Sequence, residues 1–181
     1  MKDIIATFLL TGMRDEEVQH FEWSDIVWQN GDGRGKIVVQ DKPAYDWRVK
    51  DHEKRTITLD ATLKARLLAR QKRESRTGLV FPNRGEAPSG HLAKLINRLQ
   101  QWARESGYVF SRPETRRHAL HNFRHTYATM LDVNGESTRT IQAKLGHSNL
   151  TTTERYLAIV EDADKVRKQY AAVVANLAPK T

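Results

Sequence analysis

The sequence predicts a mainly helical α+β fold with a small three-stranded antiparallel sheet near its N-terminal side. Most of the 181 residues lie in stretches whose apolar residues recur three or four positions apart, the spacing of a helix with one buried face. Between residues 26 and 59 this pattern gives way to short β-branched runs separated by turn-forming residues. The length suits one domain with a substantial core.

Composition narrows the classes of function. The chain carries 30 Lys and Arg against 22 Asp and Glu, a formal net charge of +8, which favours a polyanionic partner but does not by itself establish one. There is no cysteine, which excludes a disulfide framework and a thiolate metal site and is in keeping with a reducing cytoplasm. The apolar run from Ile4 to Leu10 is too short to span a membrane and lacks a signal-peptide cleavage pattern.

The same run predicts the first helix, since its apolar residues have helical spacing and Gly12 follows. This helix should end just before Arg14, which places the arginine in a turn where it can point into a cleft. Arg14 then begins a second helix, with Glu17 one turn further on.

Three strands are predicted next. Residues 26–28 lead into the turn-rich run 30–35, and Lys36–Gln40 completes a β-hairpin. A polar connection from Asp41 to Lys54 leads to the third strand, Arg55–Leu59. The glycines within the 30–35 turn have neither the G-x-G-x-x-G spacing nor a following GK[ST], so they do not indicate a nucleotide site.

From Asp60 the pattern returns to helix. Asp60 is a suitable N-cap for a helix whose apolar stripe is Leu63, Leu67 and Leu68, and whose basic face fits a solvated surface or a DNA-backbone contact equally well. Residues 78–82 predict a buried bend, and residues 90–106 predict another helix with its apolar side inward.

The C-terminal half contains the most informative spacing. A helix containing His121 and Arg124 precedes one over residues 138–145, which Gly146 should terminate. Thr151 and Glu154 form a capping box that opens a further helix containing Tyr156. The break at Gly146 lets His147 and Tyr156 reach one pocket, whereas a continuous helix would place them on opposite faces. Taken alone, a histidine and a tyrosine so placed are better explained by a helical hairpin with a half-buried tyrosine and a polar histidine in the turn.

The last predicted helix, from Asp162 to Leu177, is amphipathic. Its apolar stripe consists of Ala163, Val166, Tyr170, Val173, Val174 and Leu177. The stripe can cover the domain's own core.

Three stretches in order resemble the tyrosine recombinases, the phage integrase family. They are TGMRDEEVQHFEWSDI at 11–26, HNFRHT at 121–126, and LGHS at 145–148 followed by two threonines and Tyr156. Phe21 stands where an aliphatic residue is usual, and Asn122-Phe123 replace the common Asp-Leu. The resemblance implies that residues 1–181 are a recombinase catalytic domain from which the family's separate N-terminal DNA-binding domain is absent, through excision or natural truncation.

The resemblance also implies a chemistry, DNA strand breakage and rejoining through a 3′-phosphotyrosine with no metal, ATP or other cofactor. Two guanidiniums would hold the non-bridging phosphate oxygens, a tyrosine would attack, one histidine would act as general base, another would donate to a phosphate oxygen, and a lysine would protonate the leaving 5′-oxygen. In that order the residues are Arg14 and Arg124, Tyr156, His121, His147 and Lys50. Lys54 rivals Lys50, Lys42 is a more distant candidate, and Tyr127 is the next nucleophile after Tyr156.

Other functions remain open at this point. A type IB topoisomerase-like enzyme would use the same chemistry, and a DNA-binding module without catalysis would retain the motifs only as fold determinants. A metal site at His118, His121 and His125 is disfavoured because position 122 lacks the glutamate of a zincin and Arg124 adds positive charge. The implied partner is double-stranded DNA in a prokaryotic cytoplasm, bound as a homotetramer, with this fragment monomeric alone and no membrane involved.

Overall fold

The structure is a computed structural model that describes residues 2–29, 35–50, 54–74, 78–90, 92, 94, 119–147 and 163–178. Within these ranges the α-helices are α1 (Lys2–Thr11), α2 (Asp15–Gln19), α3 (Ala61–Glu74), α4 (Ala119–Val133), α5 (Thr138–Leu145) and α6 (Ala163–Leu177). The strands are β1 (Ile26–Val27), β2 (Gly35–Val39) and β3 (Arg55–Leu59). The mainly helical α+β prediction is therefore confirmed.

Helix α1 forms the centre of the main hydrophobic core. It packs on α3, α4 and α6, and Phe8 is fully buried with its ring stacked 6.1 Å from that of Phe123 in α4. Asp3, at the start of α1, is also buried and forms a 2.5 Å ion pair with Arg66 of α3. Part of the basic face of α3 is thus occupied by an internal ion pair.

The sheet has the predicted three antiparallel strands, in the order β1-β2-β3. Ile37 of β2 pairs with Ile26 on one side and Ile57 on the other. Along β3, residues 55, 57 and 59 are buried while 56 and 58 are exposed, the alternation of a strand with one face on the core.

Helix α3 begins as predicted, since Asp60 Oδ1 accepts hydrogen bonds from the backbone N–H groups of Thr62 at 2.8 Å and Leu63 at 3.2 Å. Leu63 and Leu67 are fully buried, but the prediction for Leu68 is wrong because its side chain is 37% exposed. Adjacent helical residues point about 100° apart, so Leu67 and Leu68 do not reach the same narrow core face.

The predicted bend at 78–82 is buried at residues 79–81, and hydrogen bonds join it to the segment after α2. Val80 N–H donates to Phe21 O at 2.7 Å, and Trp23 N–H donates to Gly78 O at 2.9 Å. Of the helix predicted over 90–106, the structure describes only Leu92 and Lys94, so that prediction lies outside the described residues.

Helices α4 and α5 build a second, smaller core. Ala128 of α4 and the α5 residues Ile141 and Leu145 are fully buried together. Ser137 caps α5 by accepting from Thr140 N–H at 3.1 Å, and Gly146 ends it with φ 68°, as predicted.

Helix α6 packs on its own chain. Leu177 is buried, and Tyr170 Oη donates to Leu9 O of α1 at 3.2 Å. Val173 was predicted in the apolar stripe but is 47% exposed, because the helix touches α1 and α4 along a narrower strip. In the described part of the chain, no helix has the length and apolarity needed to cross a membrane.

Candidate active site

Two predicted arginines meet at the turns that end α1 and α5. Arg124 in α4 is 1% exposed, and its Nη1 donates to Gly12 O at 2.6 Å while its Nη2 donates to Leu145 O. Arg14 Nη2 donates to Gly146 O at 2.8 Å. Neighbouring carbonyls of one turn therefore receive both guanidiniums, although 110 positions separate the two arginines in the sequence.

Arg14 is held at the start of α2 by Glu17. Its backbone N–H donates to Glu17 Oε2 at 2.7 Å, and its Nη1 lies 3.3 Å from Glu17 Oε1. The Arg14 side chain retains 19% exposure, whereas that of Glu17 has 1%. Glu17 therefore holds Arg14 in place from the buried side, and the Arg14 side chain stays partly exposed.

A third arginine, Arg55 of β3, completes the cluster. Arg55 Nη1 and Nη2 donate to Glu17 Oε1 and Oε2 at 2.7 and 2.5 Å, a bidentate pair, and its Nε donates to Lys144 O at 3.1 Å. Burial raises the pKa of Glu17, but the hydrogen bonds and charge of Arg55, the Arg14 backbone N–H and the charge of Arg124 outweigh it. The pKa of Glu17 is consequently lowered and its carboxylate stays ionised.

From the sequence, Arg55 was predicted only as the start of the third strand, and its contact with Glu17 was missed. A signal was present in the alternation of β3, where Arg55 shares the buried face with Ile57 and Leu59. A guanidinium on the apolar face of a strand requires a buried anionic partner. The pattern could therefore have predicted an ion pair, but not which carboxylate supplied it.

Both turns depend on glycine. Gly12 has φ 61° and Gly146 has φ 68°, a left-handed conformation that strains other residues. A Cβ on Gly12 would run into the Tyr127 ring, and a Cβ on Gly146 would lie 2.9 Å from Arg55 Cδ. The absence of a side chain thus lets α4 and β3 approach the two turns.

His147 lies directly after this turn and is buried, with 7% exposure. Its backbone N–H donates to Gln142 O at 3.2 Å, and its carbonyl accepts from Gln142 Nε2 at 2.9 Å. The structure therefore places His147 at the turn whose carbonyls receive Arg14 and Arg124.

The lysine candidates differ sharply in their surroundings. Lys42 is 6% exposed, and its Nζ lies 2.5 Å from Asp25 Oδ1 and 2.6 Å from Glu22 Oε2. These two ion pairs tie the loop after β2 to the segment after α2, and they disfavour Lys42 as a proton donor. Lys50 and Lys54 are both exposed, and among the described residues neither forms a hydrogen bond or ion pair.

Lys50 lies at the end of a loop that is fastened to α2. The Trp47 ring stacks on the His20 ring at 4.8 Å with an interplanar angle of 8°, and Trp47 Nε1 donates to Glu16 Oε2 at 3.3 Å. Val49 N–H donates to Asp41 Oδ1 at 2.9 Å across the base of the loop. These contacts hold the part of the loop that precedes Lys50 against α2.

The remaining candidates are only partly described. The backbone of His121 lies in α4 three residues before Arg124, and its side chain is outside the described part. Tyr156 and the capping box before it also lie outside the described residues. Tyr127 is described, and burial raises its pKa from 10.0 to about 12, which opposes formation of the phenoxide.

A metal site at the predicted histidine cluster is only partly testable, because His118 lies outside the described residues. Within the ranges described, no three His, Cys, Asp or Glu residues are grouped so as to hold a metal ion.

Comparison with known proteins gives consistent matches. The Phage integrase family matches residues 1–162. Tyrosine recombinase XerC of Lactobacillus delbrueckii subsp. bulgaricus is 30% identical over 155 residues, covering 84% of this chain and 48% of XerC. Tyrosine recombinase XerD of Rhizobium meliloti is 30% identical over 168 residues, covering 90% of this chain and 48% of XerD. The chain thus spans about half the length of these relatives.

Solved structures show the same fold. The crystal structure of XerA recombinase has a TM-score of 0.67 at 20% identity, covering 94% of this chain and 57% of that one. XerH site-specific recombinase, in a post-cleavage complex with palindromic difH substrate, has a TM-score of 0.65 at 24% identity, covering 96% of this chain and 45% of that one.

Proposed function

Because this chain belongs to the phage integrase family, we propose that it is the catalytic domain of a site-specific DNA recombinase. The observation that carries the proposal is the meeting of Arg14 and Arg124 at the α5 turn, directly before His147. Two planar guanidiniums match the oxygens of a phosphodiester and stabilise the charge that develops during attack without requiring a metal.

The proposed reaction breaks one phosphodiester and forms another. Tyr156 Oη attacks the phosphorus as His121 takes its proton, and the bond from phosphorus to the 5′-oxygen breaks. Lys50 protonates the leaving 5′-oxygen, and His147 donates a hydrogen bond to a non-bridging oxygen. The products are a 3′-phosphotyrosine and a free 5′-hydroxyl, and attack by a 5′-hydroxyl from another strand reverses the sequence without ATP.

The same chemistry supports a homotetramer on DNA. Exchange between two duplexes breaks four strands, and each break uses one tyrosine that remains bonded to DNA until rejoining. Four copies of the domain therefore account for one full exchange. The net charge of +8 favours double-stranded DNA as the partner and provides affinity that does not depend on base sequence.

A covalent-adduct experiment tests the proposal. The protein is incubated with a pool of nicked duplexes of randomised sequence, in which the short cleaved fragment diffuses away and traps the phosphotyrosine. Adducts are separated under denaturing conditions, and their DNA is sequenced to reveal the preferred site. We expect an adduct that forms in excess chelator, because the arginines supply the charge that a metal would otherwise provide.

Two tyrosine variants make the test specific. Tyr156→Phe removes one oxygen and should abolish the adduct while DNA binding persists. Tyr127→Phe is the matched control and should retain the adduct, because the buried Tyr127 is poorly suited to ionise. An adduct with Tyr156→Phe would overturn the assignment of the nucleophile, and no adduct with the unmodified protein would favour a non-catalytic DNA-binding module.

A type IB topoisomerase-like enzyme would also form the adduct. Two duplexes with different labels, both carrying the selected site, separate these functions. A recombinase joins the labels in one product, whereas a relaxing enzyme reseals only the original strands. Joined labels that require Tyr156 would therefore establish strand exchange.

A further inference from the structure

The Arg55 guanidinium contacts two elements that lie next to proposed catalytic residues, α2 beside Arg14 and the end of α5 before His147. Its side chain is 5% exposed, and it donates to both oxygens of Glu17 and to Lys144 O. Glu17 belongs to α2 and Lys144 to the last turn of α5, while Arg55 itself begins β3. One side chain therefore joins three segments that are distant in sequence.

Each of these segments presents a residue of the proposed chemistry. Arg14 lies one turn before Glu17 and is bound to it, and His147 follows Lys144 by three residues. The loop before β3 presents Lys50, five residues ahead of Arg55. A shift of Arg55 would thus move the supports of several groups together.

The distances also indicate how the negative charge of Glu17 is shared. Arg55 binds Glu17 through two short contacts of 2.7 and 2.5 Å, whereas the Arg14 guanidinium approaches Glu17 only to 3.3 Å. The bidentate pair is the stronger interaction, so Arg55 compensates most of the Glu17 charge. The Arg14 guanidinium is then oriented by Glu17 on one side and by Gly146 O on the other.

We propose that Arg55 is a positioning residue for DNA cleavage: it fixes Glu17 and the α5 turn so that Arg14 keeps its direction and charge for the scissile phosphate. This inference rests on the proposed function. Arg55 does not touch the DNA, and its effect on the reaction passes through Arg14. Without Arg55, the Arg14 guanidinium would move from 3.3 Å into a shorter, bidentate ion pair with the buried Glu17.

The first test compares two buried arginines. Arg55→Lys keeps the charge but loses the bidentate fork. Arg66→Lys is the matched control, since Arg66 also binds a buried carboxylate, that of Asp3, and a backbone carbonyl, that of Leu177. The rate of single-turnover cleavage is measured on the nicked duplex that traps the phosphotyrosine, at saturating protein concentration. Each rate is divided by the folded fraction of the variant.

We expect Arg55→Lys to lower the cleavage rate by about 100-fold, the effect of misplacing a reacting group by roughly 1 Å. Its affinity for DNA should change little, because Arg55 is not exposed. Arg66→Lys should lose stability yet cleave at the rate of the unmodified protein for each folded molecule. Equal rates for the two variants would overturn the proposal.

A neutral substrate separates positioning of Arg14 from a general structural role. Replacing one non-bridging oxygen by methyl removes the charge of the phosphodiester, so an arginine that faces that position is needed less. The two methylphosphonate diastereomers are tested separately with Arg14→Ala and Arg55→Lys. We expect both variants to recover on the same diastereomer, with the Arg55→Lys defect shrinking to about tenfold or less.

An equal Arg55→Lys defect on the charged and both neutral substrates would mean that Arg55 acts only through folding, and would overturn the inference.

A double variant keeps the test valid if Arg55→Lys does not fold. Glu17→Gln with Arg55→Met removes both charges, so it should fold and still cleave slowly; full activity would also overturn the inference. Failure of the unmodified protein to form any adduct would instead reject the proposed function, so the two failures are distinguishable.

Discussion

The turn at Gly146 allows the packing of Arg55 to be measured through a single methyl group. Gly146→Ala introduces a Cβ that would lie 2.9 Å from Arg55 Cδ and 3.1 Å from its Nη1. Gly135, after α4, is a matched control because it also has a positive φ, 85°, but a Cβ there would meet nothing within 4 Å. Both substitutions place alanine at a positive φ, but only Gly146→Ala brings the new Cβ against the Arg55 side chain.

The expected magnitudes follow from that difference. Placing alanine in a left-handed conformation costs about 1 to 2 kcal/mol, which is the whole effect expected for Gly135→Ala. Overpacking adds about 1 to 3 kcal/mol, so Gly146→Ala should lower the free energy of unfolding by about 2 to 5 kcal/mol. Displacement of Arg55 should also slow cleavage by Gly146→Ala, while Gly135→Ala cleaves normally.

Urea denaturation followed by circular dichroism measures the two free energies, and single-turnover cleavage measures the rates. The reasoning would be refuted if the two variants lost equal stability, because Arg55 would then move aside at no cost. Full cleavage activity in Gly146→Ala would likewise show that the contact between this turn and Arg55 does not support the site.

Three further predictions concern the proton donor, acid stability and DNA binding. Lys50→Ala should slow cleavage of an ordinary phosphodiester about 100-fold or more and be rescued by sulfur at the 5′-bridging position, whereas Lys54→Ala should show a milder defect that sulfur does not cure; the reverse result would exchange their roles. Because the folded-state pKa of Glu17 is lowered, its stabilising contribution is present above the unfolded value near 4.5 and is lost as pH falls through the folded pKa. Below pH 4.5, the free energy of unfolding measured with urea should therefore fall less steeply with decreasing pH for Glu17→Gln than for the unmodified protein. Finally, the logarithm of the DNA association constant should fall linearly with the logarithm of salt concentration, with a slope of about −0.9 for each phosphate neutralised, and a salt-insensitive constant would contradict this.

Periodicity and turn chemistry in the sequence were sufficient to predict most of the described elements. Helix α1, the three strands, the Asp60 cap and the Gly146 stop were all predicted, because each depends on residues within a few positions. The family resemblance pointed to Arg14, Arg124 and His147, which the structure brings to one turn.

The tertiary structure decided which side chains are engaged. Lys42 and Lys50 lie in the same polar connection, yet only Lys42 is buried between two carboxylates. Leu68 and Val173 fit apolar stripes but remain exposed, because the width of a buried face is set by the neighbours that pack on it.

The sequence by itself determined the local elements and the set of residues in the motifs, since helix periods, caps and motif spacings are encoded at short range. Only the tertiary structure decided that Arg55 binds Glu17, because 38 residues separate them and several other carboxylates were available. A buried charge is stable only with a partner in a defined geometry, and that geometry exists after α2, β3 and the end of α5 have packed together.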